Sequence, residues 1–129
     1  MKTFELSKEL IDNISDLILK KNNKEIKKIV KTLHYADLAE LINELKFDES
    51  LYLLKLIDSD KTSEVLTELD DDLRERVLKE FSEKEIAGEI KELDSDDAVD
   101  ILSELSEEKK EKVISLIKDE NITENIREL

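Results

Sequence analysis

Apolar residues recur every twelve positions along most of this chain, in three columns. The first column contains Leu45, Ile57, Leu69, Phe81, Leu93, Leu105 and Ile117. The second contains Ile42, Leu54, Leu66, Leu78, Ile90, Leu102 and Ile114. The third contains Leu41, Leu53, Val65, Val77, Glu89, Ile101 and Val113, so that Glu89 is its one charged member. Within each unit the apolar residues lie three and four apart, which predicts helical structure.

A single long helix cannot bury these columns. Each residue turns an α-helix by about 100°, so twelve residues leave a net rotation of about 120°. Successive units would then present their apolar patches to three different sides, and no one partner could cover them. A coiled coil is excluded as well, because its seam needs a period of seven or eleven residues. The pattern therefore predicts a break in every unit.

Residues that favour helix starts occupy the expected break positions. The position after the first column holds Lys46, Asp58, Asp70, Ser82, Asp94, Ser106 and Lys118. Five of these seven are Asp or Ser, whose side-chain oxygens accept hydrogen bonds from the free N–H groups of a helix N-terminus. Ser82 followed by Glu85 also has the capping-box pattern. Each unit is thus predicted to be a helix of about eight to ten residues followed by a capped turn.

Helices this short are marginal alone and must bury their apolar faces on their neighbours. We therefore predict an all-α fold, an α-solenoid of stacked short helices. Residues 1–34 form an N-terminal helical cap of two helices with a break at Asn22 and Asn23. Residues 35–118 form seven helical repeats, and residues 119–129 form a C-terminal segment with a thin apolar face (Ile122, Ile126, Leu129). We expect the natural protein to continue beyond it.

Composition narrows the function. The 129 residues include 35 Asp and Glu against 21 Lys and Arg, a net charge of −14. This surplus repels nucleic-acid phosphates and anionic lipid surfaces. There is no Cys and no Pro, and only one Gly, which excludes thiolate zinc sites and disfavours folds rich in tight turns. No apolar run is long enough to span a membrane, so we expect a soluble, intracellular piece without membrane insertion.

Two segments resemble a known family. Residues 33–42, LHYADLAELI, resemble the opening motif of the cytoplasmic N-terminal domain of MgtE magnesium transporters, and residues 92–102, ELDSDDAVDIL, resemble its acidic signature. Residues 64–66, EVL, match another repeat motif in the same register. The Pro often found at the unit starts of that family is absent, and Val99 stands for the usual Ala. The resemblance extends from about Ile26 to the end.

The resemblance implies a specific function. In that family the domain is a right-handed superhelix followed by paired CBS modules and membrane helices, and the transporter is a homodimer in the cell inner membrane. Its cytoplasmic part senses Mg²⁺, which draws the N-terminal domain and the CBS modules together and closes the pore. The same role is therefore expected of this chain, with the CBS modules of its own chain or dimer mate as partners.

The candidate metal ligands are carboxylates. At about 100° per residue, Asp96 and Asp100 lie opposite the apolar face of their helix, and Asp97 lies on its flank. Glu64 precedes Asp100 by three repeats, so we expect the two in one outward column. Mg²⁺ prefers oxygen ligands and usually takes only one or two carboxylates directly. By matching position, the resemblance assigns metal contact to Glu64, Asp96 and Asp100, with Asp97 as a weaker neighbour.

The sequence gives little support for catalysis or for other kinds of binding site. No Gly-rich phosphate loop, nucleophile triad or metal-binding His motif is present, so we do not expect an enzyme. His34, the only histidine, is expected to help the chain turn between two helices. The main alternative function is a protein-binding scaffold of helical repeats, similar to the middle region of the flagellar motor switch protein. Such a scaffold would expose an apolar groove and be indifferent to Mg²⁺.

Overall fold

The computed structural model describes the backbone of residues 6–128 and the side chains of residues 6–58 and 60–118. The described residues form nine α-helices and no strand, which confirms the all-α class. The helices are α1 (Lys8–Leu19), α2 (Asn23–Lys31), α3 (Tyr35–Glu44), α4 (Phe47–Leu56), α5 (Ser59–Glu68), α6 (Asp71–Glu80), α7 (Glu83–Lys91), α8 (Ser95–Ser103) and α9 (Glu107–Glu128).

The predicted breaks are confirmed at six of the seven positions. Each helix from α4 to α9 begins one residue after a predicted break, and α3 to α8 are nine or ten residues long. The prediction is wrong at Lys118, where α9 continues to Glu128. A lysine side chain has no oxygen that could accept a hydrogen bond from the N–H groups at a helix start. At Lys46, Glu49 lies three residues further on and supplies a carboxylate. At Lys118 the residue three positions further on is Asn121.

The helix starts use different caps. Ser82 and Glu85 form the predicted capping box: the Ser82 hydroxyl accepts from the Glu85 N–H at 3.0 Å, and the Glu85 carboxylate accepts from the Ser82 N–H at 2.9 Å. The Lys46 N–H donates to the Glu49 carboxylate at 3.0 Å. Asp58 and Asp94 stand at the predicted N-cap positions, but neither carboxylate makes a capping hydrogen bond. The positions are therefore as predicted, while those two side-chain bonds are absent.

The chain divides into two compact units, with the boundary between Arg74 and Glu75, inside α6. In the first unit α1 packs against α2 and α4, and α3 packs chiefly against α5. In the second unit α7 packs chiefly against α9 and more lightly against α8. The main packing partner of α3 and of α7 is thus the next helix but one, which lies two repeats, or 24 residues, along the chain.

The third apolar column forms the deepest part of the core. Leu41, Leu53, Val65, Val77 and Val113 have no exposed side-chain surface, and Ile101 is also buried. Glu89, the charged member of the column, is buried like its neighbours. The first column is more variable, because Ile57, Leu69 and Phe81 are buried while its other members are partly exposed.

Three residues spaced by twelve make the same hydrogen bond in the first unit. Ser50 donates to the Ile42 carbonyl at 2.8 Å, Thr62 donates to the Leu54 carbonyl at 3.0 Å, and Arg74 donates to the Leu66 carbonyl at 3.4 Å. Each acceptor lies eight residues earlier, near the end of the preceding helix. These carbonyls lie in the last turn, where the regular helical hydrogen bonds end. Ile42 and Leu66 also accept from the C-cap N–H groups of Leu45 and Leu69. The repeat position therefore carries a donor that joins each helix to the one before it.

Two lysines make a longer-range version of this contact. The Lys61 ammonium donates to the Val30 carbonyl at 2.8 Å, and the Lys109 ammonium donates to the Leu78 carbonyl at 2.7 Å. Both pairs are 31 residues apart, and they are related by four repeats, since 109 − 61 and 78 − 30 both equal 48. A cation is favourable at a helix C-terminus because the helix dipole is negative there. In each unit, therefore, a half-buried lysine donates a hydrogen bond to a carbonyl near the C-terminus of a helix.

Helix α1 ends in a Schellman motif. The Asn22 N–H donates to the Leu17 carbonyl at 2.9 Å and the Lys21 N–H donates to the Ile18 carbonyl at 3.0 Å. Lys21 has a φ of 54°, the one non-glycine residue with positive φ in the described part of the chain. Glycine usually occupies this position because it has no Cβ to clash. The lysine is therefore held in a backbone conformation that costs about 1 kcal/mol.

No helix in the described residues is both long enough and apolar enough to cross a bilayer. The predicted break at Asn22 is confirmed, since Asn22 is the N-cap of α2 and its side chain accepts from the Glu25 N–H at 3.4 Å. The right-handed superhelical arrangement and the division at residues 34 and 118 stay predictions. The apolar face expected from Ile122, Ile126 and Leu129 lies outside the described side chains.

Replacing Thr62 by Val should destabilise the protein. Val keeps the shape of Thr but removes the hydroxyl, so the buried Leu54 carbonyl loses its long-range donor. We expect the free energy of unfolding to fall by about 1–3 kcal/mol, measured by urea denaturation. The matched control is Thr67→Val, which removes only a local bond to the Glu64 carbonyl and should cost less than about 0.5 kcal/mol. Equal losses for both variants would contradict the role given to Thr62.

Candidate metal-binding face

The candidate aspartates lie on α8, which begins after Asp94. Ile101 is buried and fixes the inner side of this helix, while Ala98 and Leu102 are half-buried beside it. Asp96 and Asp97 fall in the first helical turn, where negative charge is favourable because the helix dipole is positive there. The same packing that buries Ile101 therefore decides which side of α8 faces water.

The two outward aspartates are placed as predicted. Asp96 and Asp100 are exposed, and Asp97 is half-buried on the flank. In the described residues no Lys, Arg or His nitrogen lies within 4.0 Å of these three carboxylates. Asp96 and Asp100 are four residues apart, so their like charges repel each other by a few tenths of a kcal/mol. A bound cation would relieve this repulsion.

The surrounding sequence strengthens the negative field. Residues 92–108 contain eight acidic residues and no Lys or Arg. Four of the eight fall within the seven positions 94–100. Such a concentration attracts cations, and the attraction weakens as added salt screens it. The second unit therefore presents a strongly anionic helix.

Glu64 belongs to the first unit. It lies on α5 between buried Ser63 and Val65, and its own side chain is exposed. As for the aspartates, no basic nitrogen within the described residues approaches its carboxylate to 4.0 Å. Glu64 and Asp100 both face outward from their helices, as the sequence predicts. That they share one column stays a prediction.

The carboxylates do not form a closed metal cage. Across residues 6–58 and 60–118, no three or more His, Asp or Glu side chains are grouped so that they could hold a metal ion together. A hard cation that loses its water shell readily would need such a group. Mg²⁺ keeps most of its waters and uses one or two carboxylates, so the outward pair Asp96 and Asp100 fits a hydrated Mg²⁺ and leaves the remaining ligands to another surface.

A comparison with known families agrees with the acidic signature and the repeat. The model of the MgtE intracellular N domain matches residues 33–129, three quarters of the chain. The chain belongs to the MgtE N domain family. This family supplies an intracellular domain of magnesium transporters, which is a regulatory rather than a catalytic part. No curated protein matches the chain closely enough to add to this finding.

Asp94 adds an exposed carboxylate to the same end of α8 and is not among the sequence-predicted ligands. Asp94 was interpreted as a capping residue, but its exposed carboxylate makes no capping hydrogen bond. It lies two residues before Asp96. The signal that could have indicated this is the density of acids from 94 to 100, because four carboxylates within about two turns are more than a cap requires.

His34 has the structural role that was expected of it. It is the N-cap of α3, and its Nδ1 accepts from the Ala36 N–H at 3.3 Å. Its ring also lies against the Tyr35 ring, with 4.2 Å between the two centroids. Both interactions are local to the turn between α2 and α3, so His34 directs the chain at the point where the family match begins.

The two kinds of helix start should respond differently to substitution. Ser82→Ala removes a side-chain cap and should lower the free energy of unfolding by about 1 kcal/mol. Asp94→Ala removes a side chain that makes no capping bond, so it should change the free energy of unfolding by less than about 0.5 kcal/mol. Urea denaturation of both variants gives the comparison. A loss of about 1 kcal/mol or more for Asp94→Ala would show that its carboxylate is a structural cap after all.

Proposed function

We propose that this chain is the Mg²⁺-sensing regulatory domain of an MgtE-type magnesium transporter. In this proposal, Mg²⁺ allows the domain to dock on the CBS modules of the same chain or of its dimer mate, and docking closes the pore. The observation that carries the proposal is the family membership together with the outward carboxylates Asp96 and Asp100, which have no basic partner in the described residues.

The mechanism is electrostatic. Glu64 on the first unit, and Asp96 and Asp100 with the neighbouring Asp97 on the second, each face acidic groups of the CBS modules. Without a cation the two negative surfaces repel each other, and the domain stays apart. A hydrated Mg²⁺ between them contacts one or two carboxylates on each side and cancels the repulsion. The charge density of α8 thus keeps the domains apart when Mg²⁺ is scarce.

The direction of control follows from linkage. Mg²⁺ shifts the equilibrium toward docking only as far as it binds the docked state more tightly than the separated state. A shift from about 1% to about 99% docked needs a preference of roughly 10⁴ in affinity. A carboxylate pair on one surface gives little of this preference, and the completed site between two surfaces gives the rest. Several ions that bind together would make the response steeper.

Neutralising the proposed ligands should abolish Mg²⁺-dependent docking. We expect the full-length transporter with Glu64→Gln, Asp96→Asn and Asp100→Asn to lose the protection from proteolysis that Mg²⁺ gives to the cytoplasmic region of the parent. The measurement is the rate of cleavage of that region with and without Mg²⁺. Reconstituted transport should also stay open at Mg²⁺ concentrations that close the parent.

The matched control neutralises three other exposed acids, Asp12→Asn, Glu40→Gln and Asp72→Asn. Both triple variants change the net charge by the same amount, from −14 to −11. The control should keep the protection that Mg²⁺ gives to the parent. If the Glu64, Asp96 and Asp100 variant is protected as well as the parent, the assignment of these ligands is wrong.

The 129-residue chain alone should bind Mg²⁺ weakly. We expect millimolar affinity, because only part of each site is present. In an NMR titration with MgCl₂ the largest amide shifts should fall in residues 94–100 and near Glu64. NaCl at equal ionic strength is the control for screening. Micromolar binding to the isolated chain would contradict the shared site, since it would require a complete cage within this domain.

A further inference from the structure

One segment of this strongly negative chain is positively charged. Residues 20–31 contain six lysines and one acid, a local charge of 6 − 1 = +5 in a chain of −14. Four of the lysines lie on α2 at spacings of three and four residues. We call Lys24, Lys27, Lys28 and Lys31 the lysine stripe.

The stripe occupies the outer face of α2. Ile26 and Val30 are buried and fix the inner face of this helix. At about 100° per residue, the four lysines fall within an arc of about 100° on the side away from these two residues. All four side chains are exposed. The helix therefore presents an almost purely cationic face to its surroundings.

Local electrostatics do not explain the stripe. Lys28 pairs with Glu25 at 3.3 Å, but no carboxylate in the described residues lies within 4.0 Å of Lys24, Lys27 or Lys31. Lysines three and four residues apart repel each other. The helix dipole favours Lys28 and Lys31 in the last turn of α2, but it disfavours Lys24 in the first turn. The pair with Glu25 and the helix dipole thus account for Lys28 and Lys31 in part, but not for Lys24 and Lys27.

The turn before α2 adds two more features of the same kind. Lys21 holds the left-handed position of the Schellman motif, where glycine would be less strained. Leu19, at the end of α1, is 82% exposed, which is the highest value among the large apolar residues described. An exposed apolar side chain beside Lys20 and Lys21 is the combination by which peripheral proteins contact a bilayer: cations meet the headgroups and the apolar group enters the interface.

We propose that the lysine stripe, with Leu19 and Lys21, is a docking surface for a membrane that contains anionic phospholipids. The family is an intracellular domain of membrane transporters, so in the proposed function this domain is tethered to a protein that lies in a bilayer. Two acids outside residues 20–31 lie at this surface, because Asp16 pairs with Lys20 and Asp58 lines a pocket with Lys27 and Lys31. Counting them leaves a local charge of 5 − 2 = +3. Acids more than about 8 Å away are largely screened at physiological salt. Docking of α2 on the bilayer would hold the first unit near the membrane without any apolar span.

Vesicle binding by the 129-residue chain tests the proposal. Cosedimentation is measured in EDTA at about 50 mM NaCl, with vesicles of phosphatidylcholine alone or with about 40% phosphatidylglycerol. We expect binding to the anionic vesicles only, weakened by added salt. Each lysine near such a surface contributes roughly fivefold to partition. Replacing the four stripe lysines by Gln should therefore reduce binding at least tenfold.

The matched control is a second quadruple variant, with Lys8, Lys79, Lys84 and Lys118 replaced by Gln. These four are also exposed, and both quadruple variants have a net charge of −14 − 4 = −18. The control variant should bind as the parent does. Leu19→Ser should weaken binding several-fold, whereas Val99→Ser, at an exposed apolar residue of α8, should not.

Lys21→Gly gives an independent signature. It relieves the strained backbone, so the free energy of unfolding should rise while vesicle binding falls. Circular dichroism confirms that each variant is folded. If the stripe variant does not fold, two double variants replace it: Lys24→Gln with Lys31→Gln, and Lys27→Gln with Lys28→Gln. At about fivefold per lysine, each should lose binding by about 25-fold.

Three results would overturn the proposal. The first is a parent chain that does not bind anionic vesicles. The second is equal loss in both quadruple variants, which would reduce the effect to net charge. The third is a stripe variant that binds vesicles as the parent does but no longer self-associates, where the parent self-associates without vesicles. That result would assign the stripe to an acidic surface of a second copy. The assay contains neither Mg²⁺ nor CBS modules, so its failure would leave the proposed magnesium sensing untouched.

Discussion

The backbone groups at helix ends dominate the design of this domain. A helix of ten residues forms six internal hydrogen bonds and leaves four N–H and four C=O groups without a partner in the helix. The twelve-residue period forces such a break in unit after unit, and so the chain needs donors and acceptors at regular places. Ser50, Thr62 and Arg74 meet this need from one repeat to the next, and Lys61 and Lys109 meet it across longer distances. With the helix ends fixed by these hydrogen bonds, the apolar faces of the helices can pack against each other.

Much of this fold follows from the sequence because the relevant signals are local and periodic. The apolar columns and the Asp or Ser after each unit predicted the helix starts, and Ser82 with Glu85 predicted its capping box. Two features were not predictable in that way. Lys46 begins a helix and Lys118 does not, a difference that depends on the acid at Glu49 rather than on the lysine itself. The packing of α3 on α5 and of α7 on α9 depends on tertiary contacts, which a single-residue pattern does not contain.

The candidate site was predictable to the same degree. Helical geometry alone placed Asp96 and Asp100 on the outside of α8, and the family resemblance singled them out among 35 acids. Asp94 was not among the predicted ligands because its position in the repeat suggested a cap, and only the coordinates show that its carboxylate makes no such bond. In the proposed function the partner surface belongs to another module, whose residues are not in this sequence.

The sequence segregates its charge by helix. Residues 20–31 are basic, and residues 92–108 contain acids alone among their charged residues. Uniform mixing of the two signs would have given each helix compensating ion pairs along its own surface. Pairs such as Lys28–Glu25 and Lys112–Glu108 remain, but no opposite charge lies within 4.0 Å of Lys24, Lys27 and Lys31 or of Asp96, Asp97 and Asp100 in the described residues. Such side chains are available for a partner. A domain that answers to an ion on one helix and to headgroups on another would respond separately to the two stimuli.

The alternation of packing partners limits how this chain can change length. Within the first unit α3 packs chiefly against α5, and within the second α7 packs chiefly against α9, so in each unit a helix has its main partner two repeats away. Gain or loss of a single twelve-residue repeat between two such helices would change this spacing. Gain or loss of 24 residues would keep it in steps of two repeats, and a step of 48 residues would also keep the lysine contacts in register. Natural length variants of such domains are therefore expected to differ by helix pairs rather than by single helices.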